Sequence, residues 1–102
     1  MNLKIYYRAT KYIDKMLYSR RDNWCEKKLY IQPDVYLKIA IERVGLQDMQ
    51  TKTYKDWERG TPHDLRISIV NKNDVELAGF AIRCEFHRRY RSKLSMLLDE
   101  YS

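Results

Sequence analysis

Residues 64–87 contain two alternating segments joined by a short turn, and this pattern constrains the fold more than any other part of the chain. "DLRISIV" places Leu65, Ile67 and Ile69 on one face, as in a strand with one buried side. "NKND" is rich in turn-forming residues, and "VELAGFAIRCEFH" follows as the returning strand. Gly79 inside that strand indicates a bulge or a close backbone approach. The pattern predicts an antiparallel hairpin, and therefore a fold that contains a sheet.

The N-terminal segment combines two periodicities. "LKIYYR" (3–8) alternates like a half-buried strand, with Leu3, Ile5 and Tyr7 on one face. From Thr10, which fits an N-cap, the spacing becomes helical, and the helix is expected to end near "RRDNW". We therefore expect a short strand followed by a helix.

The stretch "QPDVYLKIAIERVGL" is open to two interpretations. As a strand, its β-branched residues alternate from Val35 to Ile41. As a helix, Pro33 fits the first position, Asp34 complements the helix dipole, and Gly45 with Leu46 fits a C-terminal stop. We favour a helix from Pro33 to Val44 because both ends carry such signals, and the strand remains the alternative.

The remaining segments complete an α+β prediction. Residues 46–63 are typical of a connection, with Tyr54 and Trp57 as anchors onto the core. "RYRSKLSMLLDEY" is expected to form a final helix with one apolar stripe, consisting of Leu94, Leu97, Leu98 and Tyr101. We predict a single domain over residues 1–102, a small antiparallel sheet with helices packed on one face.

Composition excludes several classes of protein. With 102 residues, 44% hydrophobic and 33% charged, the chain has enough apolar side chain to fold. It lacks the run of about 20 apolar residues that a transmembrane helix needs, and we expect no secretory signal. Cys25 and Cys84 form no metal-ligand motif, so we expect no cofactor, no metal and a cytoplasmic location.

The net charge of +6 suggests an anionic partner, and the basic residues concentrate in two regions. At "HRRYRSK", a strand is expected to lead into the last helix. The N-terminus of that helix and the neighbouring cations would together bind phosphate. Tyr90 would stack on a base. The predicted nucleic-acid-binding residues here are Arg88, Arg89, Tyr90, Arg91 and Lys93.

The second basic region lies in the N-terminal third, where tyrosines interleave with the charges. Such mixtures suit single-stranded nucleic acid, although tyrosine-rich surfaces also suit protein interfaces. A solvated polar helix face would explain the same lysines. The candidates are Lys11, Lys15, Arg20, Arg21, Lys27 and Lys28.

His63 and His87 lie near opposite ends of the predicted hairpin sequence, so the hairpin would bring them to the same end of the sheet. With Arg88 and Arg89 they could supply the acid, base and cation of metal-free RNA cleavage. Most such histidine pairs are ordinary surface residues, and that is the alternative interpretation of these two catalytic candidates. Asp64 and Glu85 could seat a metal across the hairpin, but such pairs are usually simple ion pairs.

Residues 33–102 resemble a double-stranded RNA-binding domain in element order. The matching parts are the helix from Pro33, the loop "GTPHD" with His63, the strand "LRISI", and "HRRYRSK" before the last helix. The resemblance implies that the His63 loop lies in an RNA minor groove and that the basic residues at 88–93 contact phosphates. The family usually has proline directly after the glycine, and its last helix carries alanines that this chain lacks.

Most of the chain is also similar, in size, charge and element order, to RelE-type endoribonuclease toxins. The function we predict is a small basic RNA-binding protein without catalytic activity. The alternatives are a phage-type accessory protein that inhibits a host nucleoprotein machine by binding protein, and a RelE-like endoribonuclease. RNA is therefore the expected partner, a protein the alternative, and a membrane is not expected.

Overall fold

The computed structural model describes residues 2–17, 24–43, 63–85 and 90–101. The elements in chain order are α1 (Leu3–Leu17), β1 (Trp24–Gln32), β2 (Val35–Arg43), β3 (His63–Asn71), β4 (Glu76–Glu85) and α2 (Tyr90–Tyr101). The four strands form one antiparallel sheet in the order β1-β2-β3-β4. Both helices pack on the same face, where the core lies, which confirms the predicted α+β class.

The two central strands provide the centre of the core. Their inward side chains pair directly across the strands, as Leu37 with Ile69, Ile39 with Ile67, and Ile41 with Leu65. All six are 4% exposed or less. Because side chains alternate along a strand, the residues between them point to the opposite, open face of the sheet.

The predicted strand over 3–8 is wrong, because these residues form the first turns of α1. The Asn2 Oδ1 accepts a hydrogen bond of 3.1 Å from the backbone N–H of Ile5 and caps the helix. Ile5, Ala9 and Ile13 recur every fourth position and are buried, whereas Tyr7 is 63% exposed. Thr10 is therefore inside the helix, where its hydroxyl donates to the carbonyl of Tyr7.

The favoured helix at Pro33–Val44 is also wrong, and β2 occupies Val35–Arg43. Pro33 and Asp34 form the turn between β1 and β2, and Asp34 has a φ of 62°, a left-handed conformation that Asp tolerates. Gly45 and Leu46 lie outside the described residues. The helix that the double-stranded RNA-binding resemblance required is thus a strand, so we do not carry that resemblance further.

The predicted β3–β4 hairpin is confirmed, including the turn at 71–74. Asn71 closes that turn, since its side-chain oxygen accepts hydrogen bonds from the N–H groups of Asn73 and Val75. The register shifts between Ile69 and Val70, which places a bulge at Leu77 rather than at Gly79. At Gly79 the backbones of β3 and β4 approach closely, since a Cβ at this position would lie 2.8 Å from the carbonyl oxygen of Ile67.

The last helix has the predicted apolar stripe and is attached to α1 by a polar contact. Leu94, Leu97 and Leu98 are buried. The Tyr90 hydroxyl donates a hydrogen bond of 2.6 Å to Asp14 Oδ1, and the Arg91 guanidinium pairs with Asp14 Oδ2. Burial raises the pKa of Tyr90 above its ordinary value, and the hydrogen bond to Asp14 raises it further. This carboxylate therefore holds the two helices together.

We expect Asp14→Ala to lower the free energy of unfolding by about 1–3 kcal/mol, because it leaves the buried Tyr90 hydroxyl without its acceptor. Tyr90→Phe should cost only about 1 kcal/mol, since it removes the buried donor and leaves the Asp14 carboxylate paired with Arg91. The double variant should be more stable than Asp14→Ala alone. Urea unfolding measures these differences, with the exposed Glu42→Ala as control. Simple addition of the two losses would contradict the assignment.

Candidate functional site

Four basic residues form a stripe along the outer face of α1. Lys4, Arg8, Lys11 and Lys15 are separated by four, three and four positions, so they share one face of the helix, and all four are exposed. The stripe follows from the helix being amphipathic. Ile5, Ala9 and Ile13 face the sheet, and this fixes the rotation that turns the cations outward.

The edge strand β1 adds a fifth cation to this stripe. Lys27 pairs in register with buried Ile39, so its side chain lies on the helix-bearing face of the sheet. The Lys27 Nζ lies 5.0 Å from the centroid of the Tyr12 ring, within range of a cation–π interaction. Tyr12 packs partly against the core, so this contact ties the strand cation to the helix.

Four of these five cations, together with Tyr12, line an open groove of about 340 Å³, which we call the basic groove. Its lining consists of Arg8, Lys11, Tyr12, Lys15 and Lys27. The described residues of the lining include no carboxylate. In the part of the chain that the structure describes, no ion pair joins any of the four cations to a carboxylate. The positive charge of the groove is therefore available to an external anion.

The open face of the sheet has the opposite character, because its cations are paired. Lys28 Nζ lies 2.8 Å and Lys38 Nζ 2.9 Å from the carboxylate of Asp74, and Lys38 is also 3.5 Å from Glu26. Hydrogen bonds from Lys28 and Lys38 lower the pKa of Asp74, and the hydrogen bond with Asp74 raises the pKa of Lys38.

A second pair on the open face joins β3 to β4. The Arg66 guanidinium donates to both carboxylate oxygens of Glu76, at 2.7 and 2.6 Å. Hydrogen bonding from Ser68, and then from Arg66, lowers the pKa of Glu76. Gly79 leaves room for this pair, since a Cβ there would lie 3.0 Å from Glu76 Oε1.

The basic groove and the open face of the sheet therefore differ in net charge. The described charged side chains of the open face are three cations (Lys28, Lys38 and Arg66) and five carboxylates (Glu26, Glu42, Asp64, Asp74 and Glu76). This amounts to a net charge of 3 − 5 = −2 for these residues. For the described residues, positive charge without a carboxylate partner is thus concentrated in the basic groove at the β1 edge and not on the open face.

The structure changes the roles of the predicted residues at 88–93. Tyr90 is 1% exposed, so the prediction that it stacks on a base is wrong. Arg91 is engaged by Asp14. Lys93 is exposed, with its Nζ 5.9 Å from the centroid of the Phe80 ring at the β4 edge. Arg88 and Arg89 lie outside the described residues.

The predicted N-terminal set is divided between the two surfaces. Lys11, Lys15 and Lys27 meet in the basic groove, whereas Lys28 belongs to the open-face ion pairs. Arg20 and Arg21 lie outside the described residues. Sequence reasoning missed Lys4 and Arg8, although their helical spacing to Lys11 would have identified them had residues 3–8 been read as helix.

The histidine hypothesis concerns residues that the structure describes only in part. His63 begins β3, and its backbone pairs with Arg43 and Glu85. His87 and the residues 60–62 lie outside the described ranges. Among the described residues, no three His, Cys, Asp or Glu side chains come together as a metal site would require.

Comparisons with known proteins found no matching family model, no matching curated protein and no matching solved structure. Over the described residues, neither helix has the length and apolar character needed to cross a membrane.

The open-face ion pairs predict a pH dependence of stability. Asp74 and Glu76 have pKa values below their ordinary 3.8 and 4.5, so they stabilise the fold above that range. This contribution is lost as the pH falls through the lower folded values. We expect the double variant Asp74→Asn, Glu76→Gln to show a flatter decline in unfolding free energy below about pH 5. Glu42→Gln, outside both clusters, should keep the parent profile, and identical profiles for all three proteins would contradict the pairing.

Proposed function

We propose that this protein binds single-stranded RNA, without cleaving it, through the basic groove. The observation that carries the proposal is the set of four cations, Arg8, Lys11, Lys15 and Lys27, that line the groove with no carboxylate among its described lining residues. Lys and Arg that neutralise phosphates release condensed counterions, and this release drives sequence-independent binding. The groove is on a regular helix and an edge strand, which hold the cations in fixed positions.

The length of the stripe suits a strand rather than a single phosphate. From Lys4 to Lys15 the helix rises about 16 Å at 1.5 Å per residue. That distance spans several successive phosphates of a nucleic-acid strand. Cations at every third or fourth position of α1 would therefore contact successive phosphates of one nucleic-acid strand that lies along the helix.

An aromatic side chain lies next to the stripe. Tyr7 is 63% exposed and sits three positions after Lys4 and four before Lys11. Its ring meets Tyr6 edge to face at 5.6 Å, which supports it from one side. A base stacked on Tyr7 would leave its phosphates beside the lysines. Tyr12 is less suitable, because it is partly buried and lies under Lys27.

The packing of α1 favours nucleic acid over a membrane surface as the anionic partner. A basic amphipathic helix binds lipid by inserting its apolar face. In this protein that face, with Ile5, Ala9 and Ile13, is buried against the sheet. The cations are exposed, but the apolar residues that would anchor a helix in lipid are occupied.

The first test compares two triple variants that remove the same residue types and the same charge. The groove variant, Arg8→Ala, Lys11→Ala, Lys15→Ala, removes three of the four cations of the basic groove. The open-face variant, Lys28→Ala, Lys38→Ala, Arg66→Ala, removes three cations that are paired with carboxylates. We expect the groove variant to bind mixed-sequence RNA more weakly. Its slope of log K against log salt should be shallower by about 2, since each phosphate contact on a single strand contributes about 0.7.

The open-face variant should keep a slope near that of the parent protein. Fluorescence anisotropy over a salt series measures both, and circular dichroism checks that each variant is folded. Equal slopes for the two variants would mean that net charge, and not the basic groove, determines binding.

The stacking role of Tyr7 predicts a different pattern. Tyr7→Ala should weaken RNA binding by about 1–3 kcal/mol, the usual contribution of one stacked base, with the salt slope unchanged. Tyr7→Phe keeps the ring and should bind like the parent. The same anisotropy titrations, at one salt concentration, distinguish the two variants. Equal losses in both would remove stacking from the mechanism.

The alternative function is inhibition by direct protein binding. One observation favours it, namely that the open face presents paired charges beside the edge-to-face rings of Tyr30 and Tyr36, 6.0 Å apart. Tyrosine is enriched at protein interfaces, and paired charges suit their polar rim. A pull-down with and without nuclease separates the two functions, because a protein partner retained after nuclease treatment would support inhibition and loss of all bound material would support RNA binding.

A further inference from the structure

The two edges of the sheet differ in how they are protected. The middle of β1 carries Glu26, Lys27 and Lys28, all exposed, and charged side chains of this kind discourage pairing with another strand. The middle of β4, between Glu76 and Arg83, reads "LAGFAI" and has no charged residue. Leu77 is 48% exposed there. Among the described residues, the β4 edge therefore lacks charged protection, and beyond the bulge at Leu77 its residues 78–82 are the part suited to pairing with another strand.

A groove of about 320 Å³ runs between this edge and α2. Its apolar lining includes Ala78, Phe80 and Leu97, and Met96 projects at its margin with 69% of its surface exposed. Among the described residues, its charged lining consists of Lys93 and Glu100. Across the described residues, neither of these two has an ion-pair partner.

The pattern on α2 is complementary to itself. Lys93, Met96, Leu97 and Glu100 occupy one helix face, with a cation at one end, a carboxylate at the other and apolar residues between. When two copies of such a face meet antiparallel about a two-fold axis, each Lys93 lies opposite the Glu100 of the other copy. The two Met96 side chains then meet near the axis.

We propose that a second copy of this chain occupies the β4–α2 groove and forms a two-fold homodimer. The two β4 edges would pair antiparallel, as a two-fold axis requires, and join the two sheets into one of eight strands. The α2 helices would pack beside each other across the axis. Because β1 and β4 are opposite edges of the sheet, the two basic grooves would lie at the far ends of the dimer. The like charges of the two copies would therefore be well separated.

The dimer does not depend on RNA binding, so it is tested on nuclease-treated protein. Sedimentation velocity over a concentration series should show a species of about 25 kDa, twice the 12.5 kDa of the chain. Lys93→Glu places two carboxylates opposite each other, and Glu100→Lys places two cations. We expect each variant to raise the dimer dissociation constant at least about tenfold, as expected for like charges facing each other at an interface.

The combined variant Lys93→Glu, Glu100→Lys restores opposite charges and should restore the dimer. Lys4→Glu, a reversal at the far edge, is the control for net charge and should leave the dissociation constant unchanged. Met96→Lys tests the centre of the interface and should also raise the dissociation constant. Because Met96 is 69% exposed, the variant should fold like the parent protein, which circular dichroism verifies. A monomer at every concentration, or a dimer insensitive to both single reversals, would overturn the proposal.

Discussion

The burial of one face of α1 against the sheet determines most of what this protein presents to its surroundings. Ile5, Ala9 and Ile13 are 4% exposed or less, and each buried isoleucine contributes about 1.5–3 kcal/mol. Their position fixes the rotation of the helix about its axis. Asp14 adds a second constraint, because it binds Tyr90 and Arg91 on α2. With the rotation fixed, Lys4, Arg8, Lys11 and Lys15 have to face outward on the side next to β1.

The functional argument depends on how charges are paired rather than on how many there are. The net charge of +6 does not locate a binding surface, since some of the cations are paired with carboxylates. Lys28, Lys38 and Arg66 are held by carboxylates on the open face, and neutral pairs attract a polyanion little. The cations of the basic groove have no such partners among the described residues. Binding of an anionic strand is therefore expected there.

The elements that the sequence predicted correctly are those in which only one periodicity fits. The alternation of Leu65, Ile67 and Ile69, followed by a clear turn, has no helical interpretation, and the leucines of α2 have no strand interpretation. Residues 3–8 and 33–44 each satisfied two patterns. In β2 the choice was made by pairing with β3, and the Pro33–Asp34 signal proved to be a turn, with Asp34 at a φ of 62°. Such long-range pairing is not visible in a local pattern.

The same limit applied to the site. Lys11, Lys15 and Lys27 were identified by composition, but only the helix shows that they share a surface with Arg8 and not with Lys28. Tyr90 looked like a stacking residue because it lies among cations, yet it is an interior residue of the α1–α2 contact. A run of charges in sequence does not reveal which side chains are already paired.

The most direct test of the account is to map the RNA-binding surface by two-dimensional NMR. Nitrogen-labelled protein is titrated with a short single-stranded RNA, and the backbone amide shifts are followed. We predict that the largest shift changes occur in α1, around Tyr7, Arg8, Lys11 and Lys15, and at Lys27 in β1. Changes centred on the open face, around Lys38 and Arg66, would contradict the assignment of the basic groove as the binding site.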